Sequence, residues 1–385
     1  MENFAYCCPT RIVFGKGSIS ELASLVPADR KILLTYGGGS IKKNGVYDQV
    51  KAALGDRDVL EFGGIEPNPT YETLMKAVEV VKQEGIDFLL AVGGGSTLDG
   101  TKFIAAAAKY EGGDPWEILS ANGEVKAAIP MGTVLTLPAT GSEMNAVAVI
   151  SRGSTQEKCA FVSEHIAPQF SVLDPETTYS LPESQVRNGV VDAFVHVTEQ
   201  YLTYPADGAL QDRQAEAILM TLIEEGPRTL KDPHDYDARA NVVWCATQAL
   251  NGLIGCGVPG DFATHMIGHE LTAFFGLAHA ESLAVVFPAL LRHEKESKRD
   301  KLLQFARRVW NVTDGSDDEI IEGGIRKTEG FFQSLGMPTR LSDFDVSPDE
   351  AADRVKERFA ARGTKLGERQ AIGPDETAEI LRASG

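Results

Sequence analysis

The chain has 385 residues, of which 43% are hydrophobic and 24% charged, enough for two or three domains with real cores. No run of ~18 apolar residues occurs, which excludes a membrane-spanning helix, and the first fifteen residues lack the apolar stretch of a secretory signal. A net charge of −18 argues against nucleic acid or an anionic membrane as partner, since both demand a basic face.

In chain order, Lys31–Tyr36 is a short apolar run ending in Gly37-Gly38-Gly39-Ser40. Asp58–Phe62 is a second, and Ile86–Val92 a third, ending in Gly93-Gly94-Gly95-Ser96. Between the last two, Leu74, Ala77, Val78 and Val81 recur at the three/four spacing of a helix over 71–84 that packs on a sheet. Strands alternating with helices predict a parallel sheet with right-handed crossovers. Val134–Leu137, Val147–Ser151, Cys159–Val162 and Phe170–Leu173 read as further strands completing this first domain. After Leu181-Pro182 the periodicity turns helical, over 184–201, 208–230 and 238–253, with Pro205, Pro233 and Pro259 as breaks. The expected organisation is an α/β domain over 1–181 and a nearly all-α domain over 182–385. From Ser342 on, the polar composition suggests short surface helices. Five cysteines without a CxxC pair read as the reduced thiols of a cytoplasmic protein.

The second glycine turn, followed by a helix, has the means to hold an anion. Glycines let the backbone approach a phosphate, and the helix start offers free N–H groups and a positive dipole end. Asp99 falls in the expected first turn, where it complements the dipole. The first turn is followed by Lys42 and Lys43 and has no acid of the kind that grips the ribose hydroxyls of NAD. A 2′-phosphate meets donors there, which favours NADP. The hydroxyl-rich stretch from Thr136 to Asn145 is a strand-end loop able to bond a pyrophosphate or ribose, or a plain turn.

The helical half carries a second constellation. Asp192 and His196 lie four apart in an apolar stretch, His265 and His269 repeat the spacing, and His279 follows. Residues four apart share a helix face. A buried carboxylate requires a partner, and a divalent cation bound by one carboxylate and imidazoles meets that requirement, in a set suited to zinc or ferrous iron.

The stretches VGGGSTLDGTK, TLPATGSE, NGVVDAFVH and HMIGHEL followed by AHA resemble the iron-containing (type III) alcohol dehydrogenases. Together with PTRIVFGKGSI and FGGIEPNPTYETL, they lie nearest the NADP-dependent butanol dehydrogenase and broad-range aldehyde reductase branch. The resemblance implies an α/β dinucleotide-binding domain and a helical domain in a dehydroquinate synthase-like architecture, and a homodimer. It implies that Asp192, His196, His265 and His279 bind a catalytic divalent metal, zinc or iron. It implies cofactor contacts from Gly37, Gly38, Gly39, Ser40, Asn68, Gly94, Gly95, Ser96, Asp99, Thr136, Thr140, Ser142 and Lys158, with His269 beside the nicotinamide and able to relay a proton. Trp244, Asn145, Gln248 and Asn251 are candidates for the pocket wall. The expected activity is metal-assisted hydride transfer between NADPH and short- to medium-chain aldehydes. The alternatives are a metal-dependent lyase related to dehydroquinate synthase, which needs a basic substrate pocket, and a nucleotide-binding sensor without catalysis.

Overall fold

A computed structural model describes residues 1–385. Eight strands form: β1 (Arg11–Phe14), β2 (Ile32–Tyr36), β3 (Val59–Phe62), β4 (Phe88–Gly94), β5 (Met131–Leu137), β6 (Val147–Arg152), β7 (Glu157–Val162) and β8 (Phe170–Leu173). Six of them make one parallel sheet in the order β1-β8-β5-β4-β2-β3, as the alternating pattern predicts. Two expected additions to that sheet, β6 and β7, instead pair with each other as a separate antiparallel ribbon. Conversely β1, which the runs in the sequence did not mark, supplies an edge of the sheet.

The sheet is covered on both faces, which is why its inner strands are unbroken apolar runs. Leu33, Leu89, Ala91, Met131 and Leu135 meet Leu74 and Val78 of α3 (Tyr71–Glu84) and Phe103 and Ile104 of α4 (Gly95–Ala107). On the other face Ile32, Leu34, Phe88, Leu90 and Val92 meet Leu22 of α1 (Leu22–Leu25) and Val46, Val50 and Leu54 of α2 (Val46–Leu54). A short α5 spans Glu117–Ser120. The chain winds from β2 outward to β3, then returns to the other side of β2 with β4 and continues to β5. This reversal is a topological switch point, where open α/β sheets bind ligands beyond the carboxyl ends of their strands.

Nine longer helices follow: α6 (Glu183–Tyr201), α7 (Ala209–Lys231), α8 (Tyr236–Ala249), α9 (Ala263–Phe275), α10 (His279–His293), α11 (Arg299–Arg308), α12 (Asp317–Ser334), α13 (Pro348–Arg362) and α14 (Pro374–Ala383). Helix α6 is buried all round from Gly189 to Tyr201, the mark of a central helix. Its Phe194 ring sits among Phe305, Trp310, Phe331 and Phe332 at centroid distances of 5.5–6.4 Å. Helices α7 and α10 pack on α6, and α9 packs on α10.

The chain divides into two compact units, Cys7–Pro182 with Pro233–Thr247, and Met1–Tyr6 with Glu183–Asp232 and Gln248–Gly385. The break near Pro182 lies where the periodicity changes, but the expected division is crossed twice. Most of α8 packs with the sheet, through Val243 among others, and the first six residues belong with the helices. Helical periodicity identifies an apolar face without naming the surface that covers it. The segment from Ser342 is likewise more than surface decoration: α13 and α14 pack on each other and bury Ala351, Ala352, Val355, Phe359, Ile380 and Leu381.

Candidate functional site

The two glycine turns end adjacent strands. Tyr36 of β2 and Val92 of β4 are register partners, so both turns leave the sheet side by side at the switch point. A Cβ on Gly37 would stand 3.6 Å from the Thr97 hydroxyl, which measures how close they come. Gly94 pairs with Leu137 of β5, bringing the 136–145 loop alongside. Helix α4 begins at Gly95 with no side-chain cap, the condition under which a helix start can act as an anion cradle. At the first turn, Ser40–Lys42 is a single 3₁₀ turn, and α2 starts only at Val46. Two left-handed glycines, Gly39 and Gly45, precede the 3₁₀ turn and α2 respectively.

The expected cofactor residues gather into two groups. Asn68, in the left-handed region at φ 54°, donates its backbone N–H to Ser96 Oγ at 3.3 Å and accepts from Lys158 Nζ at 2.9 Å. Asp99 is the fifth residue of α4 and does not cap the dipole. Its carboxylate is buried, accepting from the Ser142 hydroxyl at 2.6 Å and the Val149 N–H at 3.0 Å, and burial pushes it above the usual carboxylate range. Thr136 is buried near the end of β5, and Thr140 Oγ1 accepts the Ser142 N–H at 3.2 Å. Lys102, which no motif singles out, is fully buried. Its ammonium donates at 2.9 Å to Asn145 O, Asn145 Oδ1 and Val147 O, tying α4 to this loop, and burial lowers its pKa to about 8. Asn145 is thereby engaged in holding Lys102. Trp244, another candidate for the pocket wall, is 42% exposed and lies edge-on to Phe14. Gln248 accepts from Asn251 at 3.1 Å.

A side chain at Gly95 has no room, because its Cβ would fall 2.4 Å from both Thr140 Oγ1 and Cγ2. Gly95→Ala should therefore displace the Thr140 loop from the cradle. The expected result is a KM for the nucleotide raised about tenfold or more, as small misplacements at a binding turn are costly, with metal content unchanged. Unaltered nucleotide KM would remove this turn from the cofactor site.

Glu61 enters the first turn's surroundings unannounced by the sequence. It accepts from Lys42 Nζ at 3.0 Å, from Tyr36 Oη at 3.3 Å and from Tyr47 Oη. Burial raises its pKa, but the Tyr47, Lys42 and Tyr36 hydrogen bonds hold it below the ordinary value. Two expectations change: a carboxylate does stand near this corner, and Lys42 is engaged with it, while Lys43 is exposed.

The helical unit brings Asp192, His196, His265 and His279 together, with one ligand atom from each inside a span of 4.8 Å. From Asp192 Oδ1 the distances are 3.6 Å to His196 Nδ1, 3.7 Å to His265 Nε2 and 3.5 Å to His279 Nε2. Ligands ~2.1 Å from one tetrahedral ion are separated by about 3.4 Å, so the donor set fits a single divalent cation. His196 Nδ1 and His265 Nε2 are buried and make no hydrogen bond, a costly state that a cation relieves. His196 and His265 stack at 4.4 Å between centroids. His279 is the most accessible, with 24% of its side chain exposed.

Local structure explains the convergence. Asp192 and His196 share a face of α6. Helix α9 supplies His265, and α10 opens on His279 itself, with the Ala278 N–H held by Glu281 at 2.9 Å. A Cβ at Gly268 would lie 2.7 Å from Ser282 Oγ, so glycine there permits the close approach of α9 to α10. His269, one turn beyond His265, places its ring centroid 5.5 Å from that of His279.

Glu199 is a site residue that the sequence reading missed. It lies three residues after His196, buried, and accepts the Thr264 N–H at 2.6 Å and a hydrogen bond from His265 Nδ1. With that proton on Nδ1, Nε2 keeps its lone pair for a cation, an arrangement that orients metal-binding histidines. Burial pushes the His196 ring down to about 4. Burial also opposes charge on His265, but Glu199 and Asp192 outweigh it and hold that ring at about 9, so an arriving cation displaces a proton there.

Residues 9–175 match the family model described as iron-containing alcohol dehydrogenase. Residues 187–384 match the one described as Fe-containing alcohol dehydrogenase family, C-terminal. NADPH-dependent aldehyde reductase YqhD of Escherichia coli (strain K12) is 60% identical over 386 residues, covering 100% of both chains. Probable NADH-dependent butanol dehydrogenase 1 of Bacillus subtilis (strain 168) is 42% identical, again over 100% of both. Among solved structures, NADH-dependent butanol dehydrogenase A from Thermotoga maritima is 36% identical with a TM-score of 0.94, covering 100% of this chain and 99% of that one.

Proposed function

The chain belongs to the iron-containing alcohol dehydrogenase family, and from that premise we propose that it is an aldehyde reductase that uses NADPH and a divalent cation of the zinc and ferrous-iron class. The observation that carries this reading is the four-donor cluster on α6, α9 and α10, buried except at His279. The whole-length similarity to an NADPH-dependent aldehyde reductase supports the choice of reaction. The lyase alternative has no support from these relatives, which are named as reductases and dehydrogenases.

When bound, the cation supplies Lewis acidity to a carbonyl oxygen and the reduced nicotinamide supplies the hydride to the carbonyl carbon. The chain's own part is positioning and proton management. Asp192, His196, His265 and His279 hold the cation, and Glu199 retains the proton on His265 Nδ1. The exposure of His279 leaves a side from which a small carbonyl compound can approach. His269 is assigned to pass the proton that the product oxygen takes up, because its imidazole, a common proton carrier, lies one turn beyond His265 with its ring centroid 5.5 Å from that of His279. At the glycine turns, the start of α4 receives the pyrophosphate, with Ser96, Asn68 and Lys158 beside it. Asp99 and Ser142 act mainly through each other, by fixing the 136–145 loop.

The test is NADPH oxidation against a series of straight-chain aldehydes, with protein depleted of metal and then reconstituted with zinc or ferrous iron. Turnover should vanish on depletion and return with one of the two ions. Equal turnover by depleted protein would end the metal reading. Absence of turnover with every aldehyde and both ions would end the reductase reading.

A further inference from the structure

Outside the cation cluster, the helical unit contains three fully buried charges in contact, and no step of the proposed reaction uses them. Lys298 Nζ lies 2.8 Å from Asp261 Oδ2 and 2.7 Å from Glu368 Oε2, and donates to Leu202 O at 2.7 Å. The three side chains are 1%, 3% and 3% exposed. Burying such a group is a weak source of stability, because desolvation offsets most of the attraction. Its position in the chain gives it another use.

Helix α9 delivers His265 in its first turn, where backbone N–H groups lack partners within the helix. The residue before the helix is Phe262, in the left-handed region at φ 57°, with no side-chain cap. A bulky residue is uncommon there, so the turn must be held from outside. Two carboxylates hold it. Asp261 Oδ1 accepts the Ala263 N–H at 3.0 Å and Glu199 Oε1 accepts the Thr264 N–H. Asp261 also donates its own N–H to Glu199 O at 2.8 Å. Lys298, by binding Asp261 and the Leu202 carbonyl just past α6, fastens the start of α9 to the end of the helix that carries Asp192, His196 and Glu199.

We propose that Asp261, clamped by Lys298, is a positioning residue that sets how tightly the cation is held, by fixing His265 in ligating register with the donors of α6. The inference rests on the cation site proposed above. Glu368 is the second carboxylate on Lys298 but bonds neither α6 nor the first turn of α9, so it provides the contrast.

The experiment measures zinc release from zinc-loaded protein to a colorimetric chelator, beside the melting temperature. Supports around metal ligands typically change affinity 10–100-fold. Asp261→Ala should release zinc about tenfold or more faster than wild type, and Glu368→Gln within about twofold of it, although both lower the melting temperature. Asp261→Asn keeps an acceptor for Ala263 but loses the charge that holds Lys298. It should release zinc about threefold faster, and it serves if the alanine variant does not fold. Wild-type release from Asp261→Asn, or equal acceleration by Glu368→Gln and Asp261→Ala, would overturn the inference in favour of plain structural support. Wild-type protein that retains no zinc would instead sink the cation site itself, and this inference with it.

Discussion

His265→Ala protein is expected to lose aldehyde reduction by about 10³-fold or more, the several kcal/mol that Lewis-acid assistance contributes at roughly 1.4 kcal/mol per tenfold. Zinc or iron content should fall with it. The substitution has a second effect, because Glu199 then loses its His265 partner and stays buried. An uncompensated buried carboxylate costs on the order of 3–5 kcal/mol, so a lowered melting temperature accompanies the loss of activity. His279→Ala separates the two effects. His279 is the accessible member of the set, so its removal should abolish turnover and metal retention with a smaller loss of stability. Nucleotide binding, read by quenching of tryptophan fluorescence, should survive in both. Near-normal turnover by folded His279→Ala protein would remove the four-donor cluster from catalysis.

The part of this site that the sequence displayed has a simple physical basis. Asp192 and His196 are four apart in a stretch without other polar residues between them, as are His265 and His269, and spacing on a helix translates directly into a shared face. What spacing does not convey is which charged residue turns inward to support another. Glu199 follows the pattern of an ordinary helical glutamate. Its only signal is that it continues the Asp192–His196 face of a helix in which Val190, Val191, Ala193, Phe194, Val195 and Val197 are apolar. Asp261, Lys298 and Glu368 are far apart in sequence and meet only through tertiary packing. The same distinction holds for the fold. Alternating runs and turns located β2 to β5, α3 and α6 within a few residues, because local periodicity fixes local structure. They did not decide that β6 and β7 pair with each other, or that α8 joins the sheet's unit, because partner choice is set by surfaces elsewhere in the chain. Gly39 and Gly45 likewise take left-handed conformations that only the folded turn reveals.

Cofactor choice is the function most open to a single substitution. Gly38 has a φ outside the left-handed region, and a Cβ there would meet nothing within 4 Å, so Gly38→Asp adds a carboxylate to the first turn without strain. Gly39, at φ 89°, has no such freedom. A carboxylate about 4 Å from a 2′-phosphate charge costs ~1 kcal/mol in water and ~4 kcal/mol at the effective dielectric of a protein surface. The expected fall in kcat/KM with NADPH is therefore about 10- to 10³-fold, steepest at low salt, while NADH, which lacks that phosphate, gains a ribose acceptor and loses nothing. The native corner already contains Glu61, but hydrogen bonds from Tyr36, Tyr47 and the Lys42 ammonium engage it, so Ser40 and the exposed Lys43 are the donors expected to meet a 2′-phosphate. Lys43→Ala should then weaken NADPH selectively and by less than Gly38→Asp, because an exposed cation acts through screened solvent. If Gly38→Asp leaves the ratio of NADPH to NADH efficiency unchanged, the adenosine ribose does not lie at this turn, and the preference for NADPH must be sought in other residues.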